Sequence, residues 1–221
     1  MYRAGNGAVL YREPPGFVRV APRDKIKPMT DSDFLAIFEQ SGALLSGHFV
    51  LTSGNHSDRY FEKFNVLNQP RHVEALCREL AARLAPFKPD VILGPTTLGV
   101  LLAYETAKYL GIAAAYGERG ADGKRFLRRT EHIAPGQRVA IVDDVLTTGG
   151  SVRECLDLVQ AHGATTVAVG LLIDRSGGAV TFGDAPTVSL LSLTVQSFPP
   201  DAVPEWLAAI PVTRPGSSGK K

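Results

Sequence analysis

From residue 91 to residue 193, short apolar runs alternate with longer stretches whose apolar residues recur every three or four positions. The runs Val91-Ile92-Leu93, 112–116, 138–142, 166–173 and 188–193 are strand-sized. They are apolar without alternation, which predicts strands buried on both faces, as in a parallel sheet covered by helices. Helices are expected between them, from the end of the 94–99 loop to about Leu110 and from about Gly150 to His162. Upstream, Pro70 opens a helix to about Leu84, with Val73, Leu76, Cys77, Leu80 and Leu84 on one face. Thr30-Asp31-Ser32-Asp33 has the form of a capped helix start. Phe34, Leu35 and Phe38 follow at helical spacing, and Gly42 ends the element. In residues 48–67, Gly54-Asn55 separates Phe49 and Leu51 from Tyr60, Phe61 and Phe64, which predicts a hairpin-like unit.

This alternation describes an α/β domain: a mostly parallel sheet flanked by helices, preceded by a small N-terminal unit. Ligands of such sheets bind outside the carboxyl ends of the strands. Three loops leave that edge, over residues 94–99, 117–135 and 143–151. No apolar run approaches the ~18 residues of a membrane span. The first residues lack a signal-peptide core, so a cytoplasmic protein is expected. Cys77 and Cys155 lie among apolar helix positions and are expected as small buried residues.

Net charge is only +2, so nucleic-acid binding is not called for globally. Residues 1–28 nevertheless hold six basic residues against two acidic ones, amid glycines and prolines. This segment is expected to be a disordered extension, with a polyanion-binding arm as the alternative. Met29, just before the first well-formed helix, is an alternative start of translation. Trp206 is expected to anchor the Pro- and Gly-rich C-terminal segment.

The decisive segment runs from Val139 to Ser151, with Asp143-Asp144 at a strand end followed by Val145, Leu146, Thr147, Thr148, Gly149, Gly150 and Ser151. Two carboxylates on a rigid strand can accept hydrogen bonds from ribose hydroxyls. Thr147, Thr148 and Ser151 offer hydroxyls, and the glycines let backbone approach a ligand closely. The start of the following helix turns free N–H groups toward a phosphate. A plain strand, turn and Ser cap would explain the glycines but not the two adjacent acids. Residues 94–99 have P-loop glycine spacing, but Val100 stands where lysine is needed, and no dinucleotide-binding glycine pattern follows a strand.

Residues 143–151 resemble the phosphoribosyl pyrophosphate signature of type I phosphoribosyltransferases. His48-Phe-Val-Leu-Thr-Ser-Gly54 with Ser57-Asp-Arg-Tyr60-Phe61 resembles the N-terminal hood of the orotate phosphoribosyltransferases. Leu171-Leu-Ile-Asp174-Arg175 resembles that family's strand end, and residues 210–216 resemble the tail of a bacterial branch. The resemblance implies one domain over 29–216, with a hood mainly in 29–68 and a core over about 70–195, and a tail at 217–221. It implies transfer of ribose 5-phosphate from phosphoribosyl pyrophosphate to orotate, in pyrimidine biosynthesis. Asp143 and Asp144 would hold the ribose. Residues 145–151 and Arg119 would hold phosphates, and Lys124 would act in catalysis. Thr147, Arg175, Tyr60 and Phe61 would meet orotate. Mg²⁺ would be held mainly by the substrate, with no direct protein ligand. Arg119, Lys124, Arg125, Arg128 and Arg129 would line a mobile lid shared across a homodimer. The chain departs from well-studied members at Thr52 and Leu98, where they carry lysine. A transferase for another base such as a purine, and a non-catalytic regulator or RNA-binding protein on the same fold, are the alternatives.

Overall fold

The computed structural model describes residues 28–51, 53–127, 133–193 and 195–214. The expectations for residues 1–27, Thr52, Arg128, Arg129 and the tail beyond 214 therefore lie outside the described residues. Helix α1 spans Asp31–Gln40, and Thr30 and Asp33 complete a reciprocal capping box. Strands β1 (Leu44–Val50) and β2 (His56–Phe61) form an antiparallel hairpin. A short helix absent from the sequence reading, α2 (Lys63–Leu67), follows directly. Helix α3 (Pro70–Leu84) buries the predicted face Val73, Leu76, Cys77, Leu80 and Leu84.

Strand β3 (Val91–Pro95), helix α4 (Leu98–Leu110), strands β4 (Ala113–Arg119) and β5 (Arg125–Phe126), strand β6 (Arg138–Leu146), helix α5 (Gly150–Ala161), and strands β7 (Thr165–Asp174) and β8 (Thr187–Ser192) make the core. The sheet order is β5-β4-β3-β6-β7-β8, all parallel except β5. One hydrophobic cluster joins α1, α3 and α4 to one face of the sheet. The other joins α5 to the opposite face. The predicted α/β layering holds, and β3, β4 and β6 run two to four residues beyond the apolar runs that announce them, because ladder pairing continues past those runs.

The chain closes the hood from its far end. Helix α6 (Glu205–Ala208) precedes β9 (Val212–Thr213), which adds to β1 in parallel, giving the order β2-β1-β9. Trp206 is not the anchor of this segment. It stays 53 % exposed, edge-on to Phe198, while the neighbouring Leu207 is fully buried.

The loop between β3 and α4 folds back on itself through two glycines. A Cβ on Gly94 would stand 1.9 Å from the Gly99 carbonyl oxygen, and one on Gly99 would stand 2.5 Å from Pro95 Cδ. Gly94→Ala must therefore push backbone apart. The expected cost is about 1–3 kcal/mol, a fall in melting midpoint of several degrees. Gly150→Ala, whose Cβ would meet nothing within 4 Å, should leave the midpoint within about a degree of wild type. Equal midpoints for both variants in thermal denaturation would refute the packing argument.

Candidate active site

Strand β6 carries Asp143 and Asp144 on consecutive residues, still inside the ladder: Asp143 pairs with Leu171 and Leu146 with Asp174. The acids are thus within the strand rather than beyond its tip. Successive side chains of a strand point to opposite faces. Asp143 follows Val139 and Ile141 toward α5, and Asp144 follows Ala140 and Val142 toward α3, α4 and the hood. Both residues are buried, at 7 % and 5 % exposure, so each needs a partner on its own face.

Each finds one. Ser151 Oγ donates to Asp143 Oδ2 at 2.5 Å, and the Asp144 N–H donates to Asp143 Oδ1 at 2.9 Å. Lys63 Nζ stands 2.9 Å from Asp144 Oδ2, and the Val145 N–H donates to Asp144 Oδ1 at 2.6 Å. Desolvation by burial, and then the charge of Asp144, push the Asp143 carboxyl up to about 6. The Ser151 hydroxyl and Lys63 oppose that rise.

Beyond the acids, Leu146 is buried, and Val145 is half-buried. Thr147, Thr148 and Gly150 are exposed. Gly149 has a φ of +80°, and a Cβ there would lie 2.9 Å from Val180 Cγ1, so both its conformation and its packing call for glycine. No side chain caps α5, and none caps α4 after the 94–99 loop. Helix N-termini without such caps offer amides to an anion. The 94–99 loop has a cis peptide between Thr96 and Thr97, and the Thr96 N–H already donates to the Gly117 carbonyl at 3.1 Å. Its amides are thus not all available to a ligand.

The hood brings Tyr60 and Lys63 to this edge. Burial, and then Glu62, raise the Tyr60 phenol, while Lys63 and Arg175 stand close enough to act against the rise. Arg175 begins the segment after β7, its N–H bound to the Leu146 carbonyl at 2.9 Å. Its guanidinium is pulled below the usual arginine value by desolvation. Its Nε is buried without a hydrogen-bond partner among the described residues. An unpaired buried donor costs stability, and a ligand acceptor would relieve it. Phe61 goes elsewhere: its ring packs edge-on against Phe38 at 5.2 Å, on the face of β2 opposite Tyr60.

The basic stretch after Gly117 is not a free loop at its start. β4 continues to Arg119 and pairs with β5, so Arg119 stands opposite Arg125. Both arginines grip Glu154 of α5, Arg119 through Nη2 and Arg125 through Nε at 2.8 Å. Arg125 Nε and Glu154 Oε2 are close but misaligned for a hydrogen bond, so their contact is ionic. The Arg125 side chain is only 5 % exposed and also donates to the Gly117 carbonyl at 2.8 Å. It is a brace between the β4–β5 hairpin and α5 and not a lid cation. Lys124 is exposed in the hairpin turn, where its carbonyl accepts from the Gly120 N–H.

The sequence reading thus passed over Lys63 and Glu154. Lys63 stands out only once α2 is seen, because a lysine at the first position of a helix opposes the helix dipole. Glu154 carried no signal beyond its place one turn after Ser151.

Comparison with known proteins agrees with this geometry. Residues 65–181 match the phosphoribosyl transferase domain family, a span that includes the acid pair, both glycine-framed loops and Arg175. The chain is 47 % identical over 189 residues to an orotate phosphoribosyltransferase of Pelotomaculum thermopropionicum, covering 86 % of this chain and 98 % of that one. Among solved structures it superposes on orotate phosphoribosyltransferase from Aeropyrum pernix with a TM-score of 0.61 at 24 % identity, over 72 % of this chain and 92 % of that one. It also superposes on adenine phosphoribosyltransferase from Thermoanaerobacter pseudethanolicus with a TM-score of 0.55 at 22 % identity, over 61 % and 88 %. The fold likeness therefore spans enzymes for different bases, and the sequence likeness separates them. On that ground the chain belongs to the orotate phosphoribosyltransferases of the type I phosphoribosyltransferase family.

Proposed function

We propose that this protein transfers ribose 5-phosphate from phosphoribosyl pyrophosphate to orotate, giving orotidine 5′-monophosphate and pyrophosphate in pyrimidine biosynthesis. The observation that carries the reading is the buried acid pair of β6, set beside an exposed Thr-Thr-Gly-Gly loop that opens an uncapped helix. In the transfer, the bond from the sugar's anomeric carbon to pyrophosphate breaks and a bond to an orotate nitrogen forms. The nitrogen's proton goes to solvent. Positive charge builds on the sugar ring and negative charge on the leaving group, as in glycosyl transfer generally.

Strand alternation gives the two acids different tasks. Asp144 faces the hood, whose Tyr60 lies near Arg175 of the β7 end, and suits the ribose hydroxyls. Asp143 faces α5 and, through Ser151, orients the loop whose amides would receive the 5′-phosphate. Arg175 suits the planar carboxylate or amide edge of orotate, since its fork has a donor to spare. Thr147, exposed on the loop, can donate to the same base.

Magnesium enters as the substrate's companion. Asp143 Oδ2 and Asp144 Oδ2 are occupied by Ser151 and Lys63, so the ion's ligands would be pyrophosphate and ribose oxygens. When bound, it would neutralise charge on the leaving pyrophosphate.

A homodimer also belongs to the proposal. Leu101 and Tyr104 of α4 are 40 % and 67 % exposed. Tyr116 of β4 and Phe126 of β5 add apolar area on the α4 side of the sheet, opposite the side on which Gly117 meets Leu158 of α5. Such a face suits burial against a second copy. Among the described residues no helix is long and apolar enough to cross a membrane, and we place the protein in the cytoplasm.

Three outcomes test the reading. Asp144→Asn should lower turnover by roughly two orders of magnitude with the circular dichroism spectrum unchanged; turnover at the wild-type level would remove Asp144 from the ribose. Arg175→Ala should raise the KM for orotate at least about tenfold and that for phosphoribosyl pyrophosphate far less. Equal rises would take Arg175 out of the base site. The third concerns pH. A raised carboxyl favours the protonated folded state, so Asp143 costs the empty protein stability as pH rises from about 4 through about 6. Asp143→Asn should accordingly stabilise the ligand-free protein by roughly 2 kcal/mol at pH 7.5 and hardly at all at pH 4, measured by urea denaturation. A gain that does not vary with pH would show that Asp143 is not strained by its burial.

A further inference from the structure

Phosphoribosyl pyrophosphate is a polyanion, yet among the described residues the site proposed to receive it holds few cations. The 94–99 loop reads Gly-Pro-Thr-Thr-Leu-Gly and the 147–151 loop Thr-Thr-Gly-Gly-Ser, without a basic side chain in either. Arg119 and Arg125 are committed to Glu154. The lysine that the family resemblance expects at position 98 is here Leu98, which packs against the hydrophobic core. Two buried carboxylates add negative charge of their own.

Besides Arg175, which is assigned to the base, Lys63 is a described cation that reaches this edge. It is the first residue of α2, its side chain is 42 % exposed, and its ammonium lies 2.9 Å from Asp144 Oδ2. The helix it opens gives no reason for it, since a positive charge is disfavoured at a helix N-terminus. Glu62, the residue before, uses its carboxylate to cap the Phe64 N–H at 3.4 Å. In the empty protein Lys63 therefore holds the place on Asp144 that a ribose hydroxyl would take.

Resting on the reading of the site given above, we propose that Lys63 is a substrate-binding cation that exchanges Asp144 for pyrophosphate. When a ribose hydroxyl donates to Asp144, the ammonium is released beside a ligand that carries phosphate oxygens. Its four-carbon stem lets a compact charge turn from one acceptor to another. Both charged groups keep a partner throughout, which matters because a buried carboxylate left alone is costly. The hood thereby supplies positive charge that the 94–99 and 147–151 loops lack.

The test compares Lys63→Met and Lys63→Arg with wild type. The dissociation constant for Mg²⁺-pyrophosphate in the presence of saturating ribose 5-phosphate, and that for ribose 5-phosphate alone, are measured by calorimetry, and the KM for phosphoribosyl pyrophosphate by steady-state kinetics. Lys63→Met should weaken pyrophosphate binding about tenfold and raise that KM in step, with ribose 5-phosphate binding within about threefold of wild type. Lys63→Arg should restore both. If Lys63→Met leaves pyrophosphate affinity unchanged, or weakens ribose 5-phosphate equally, Lys63 is only the counter-ion of Asp144 and the inference falls. If the wild-type protein binds neither ligand, the phosphoribosyl reading of the site falls first and takes this inference with it, an outcome visible without any variant.

Discussion

The structure turns on the burial of two adjacent carboxylates in one strand. A strand sends neighbouring side chains to opposite faces, so a single partner cannot satisfy both Asp143 and Asp144. One must be met from the α5 layer and the other from the hood layer. Ser151 and Lys63 are those partners. The layers on the two faces of β6 are therefore joined at its carboxyl end by polar contacts as well as by their apolar clusters. A ligand offering hydroxyls can take over contacts to the carboxylates, because those oxygens are already arranged to meet hydrogen-bond donors.

Around the acids, the backbone and not side-chain bulk makes the cradle. Gly94 and Gly99 allow the β3–α4 loop to close on itself, and Gly149 lets the β6–α5 loop lie against Val180 and Phe182. The helices that follow both loops start without a side-chain cap. The Arg125–Glu154–Arg119 cluster works differently. It fixes the β4–β5 hairpin to α5, the helix that carries Ser151, so the rim of the site and its phosphate loop share one rigid support.

Much of this was legible in the sequence. Apolar runs without alternation gave away the parallel strands, and the capping box at Thr30 and the five-residue apolar face of α3 marked helix starts and burial. The acid pair and the glycines of the loop declared themselves because no simple turn needs them all. What was hidden shares one cause: contacts between residues far apart in sequence. Arg125 reads as one more lid cation until Glu154, on another element, is seen beside it. Phe61 and Tyr60 read as a pair until the strand sends one to Phe38 and the other to the site edge. Trp206 reads as an anchor by size, but the α6 turn buries Leu207 in its place. Helix α2 is five residues long, too short for periodicity to show.

The hood's grip on Asp144 depends in turn on the far end of the chain. β9 pairs in parallel with β1, and Phe198 forms a bridge with His56. Ser57 Oγ donates to the Gln196 carbonyl at 2.8 Å. His48 Nδ1 lies 3.0 Å from the Ile210 carbonyl, to which it donates, and its Nε2 is hydrogen-bonded to His56 Nδ1 at 2.5 Å. These bonds tie β1 and β2 to residues 196–213, and β2 leads through Glu62 into Lys63. The sheet of a hood made only from residues 29–68 would be a two-stranded hairpin, and such a hairpin is marginal by itself. The third strand and its side-chain ties make it firm enough to hold an ammonium at 2.9 Å from a buried carboxylate. The C-terminal segment, poor in apolar pattern and remote from the acid pair in sequence, is thus part of what positions the site.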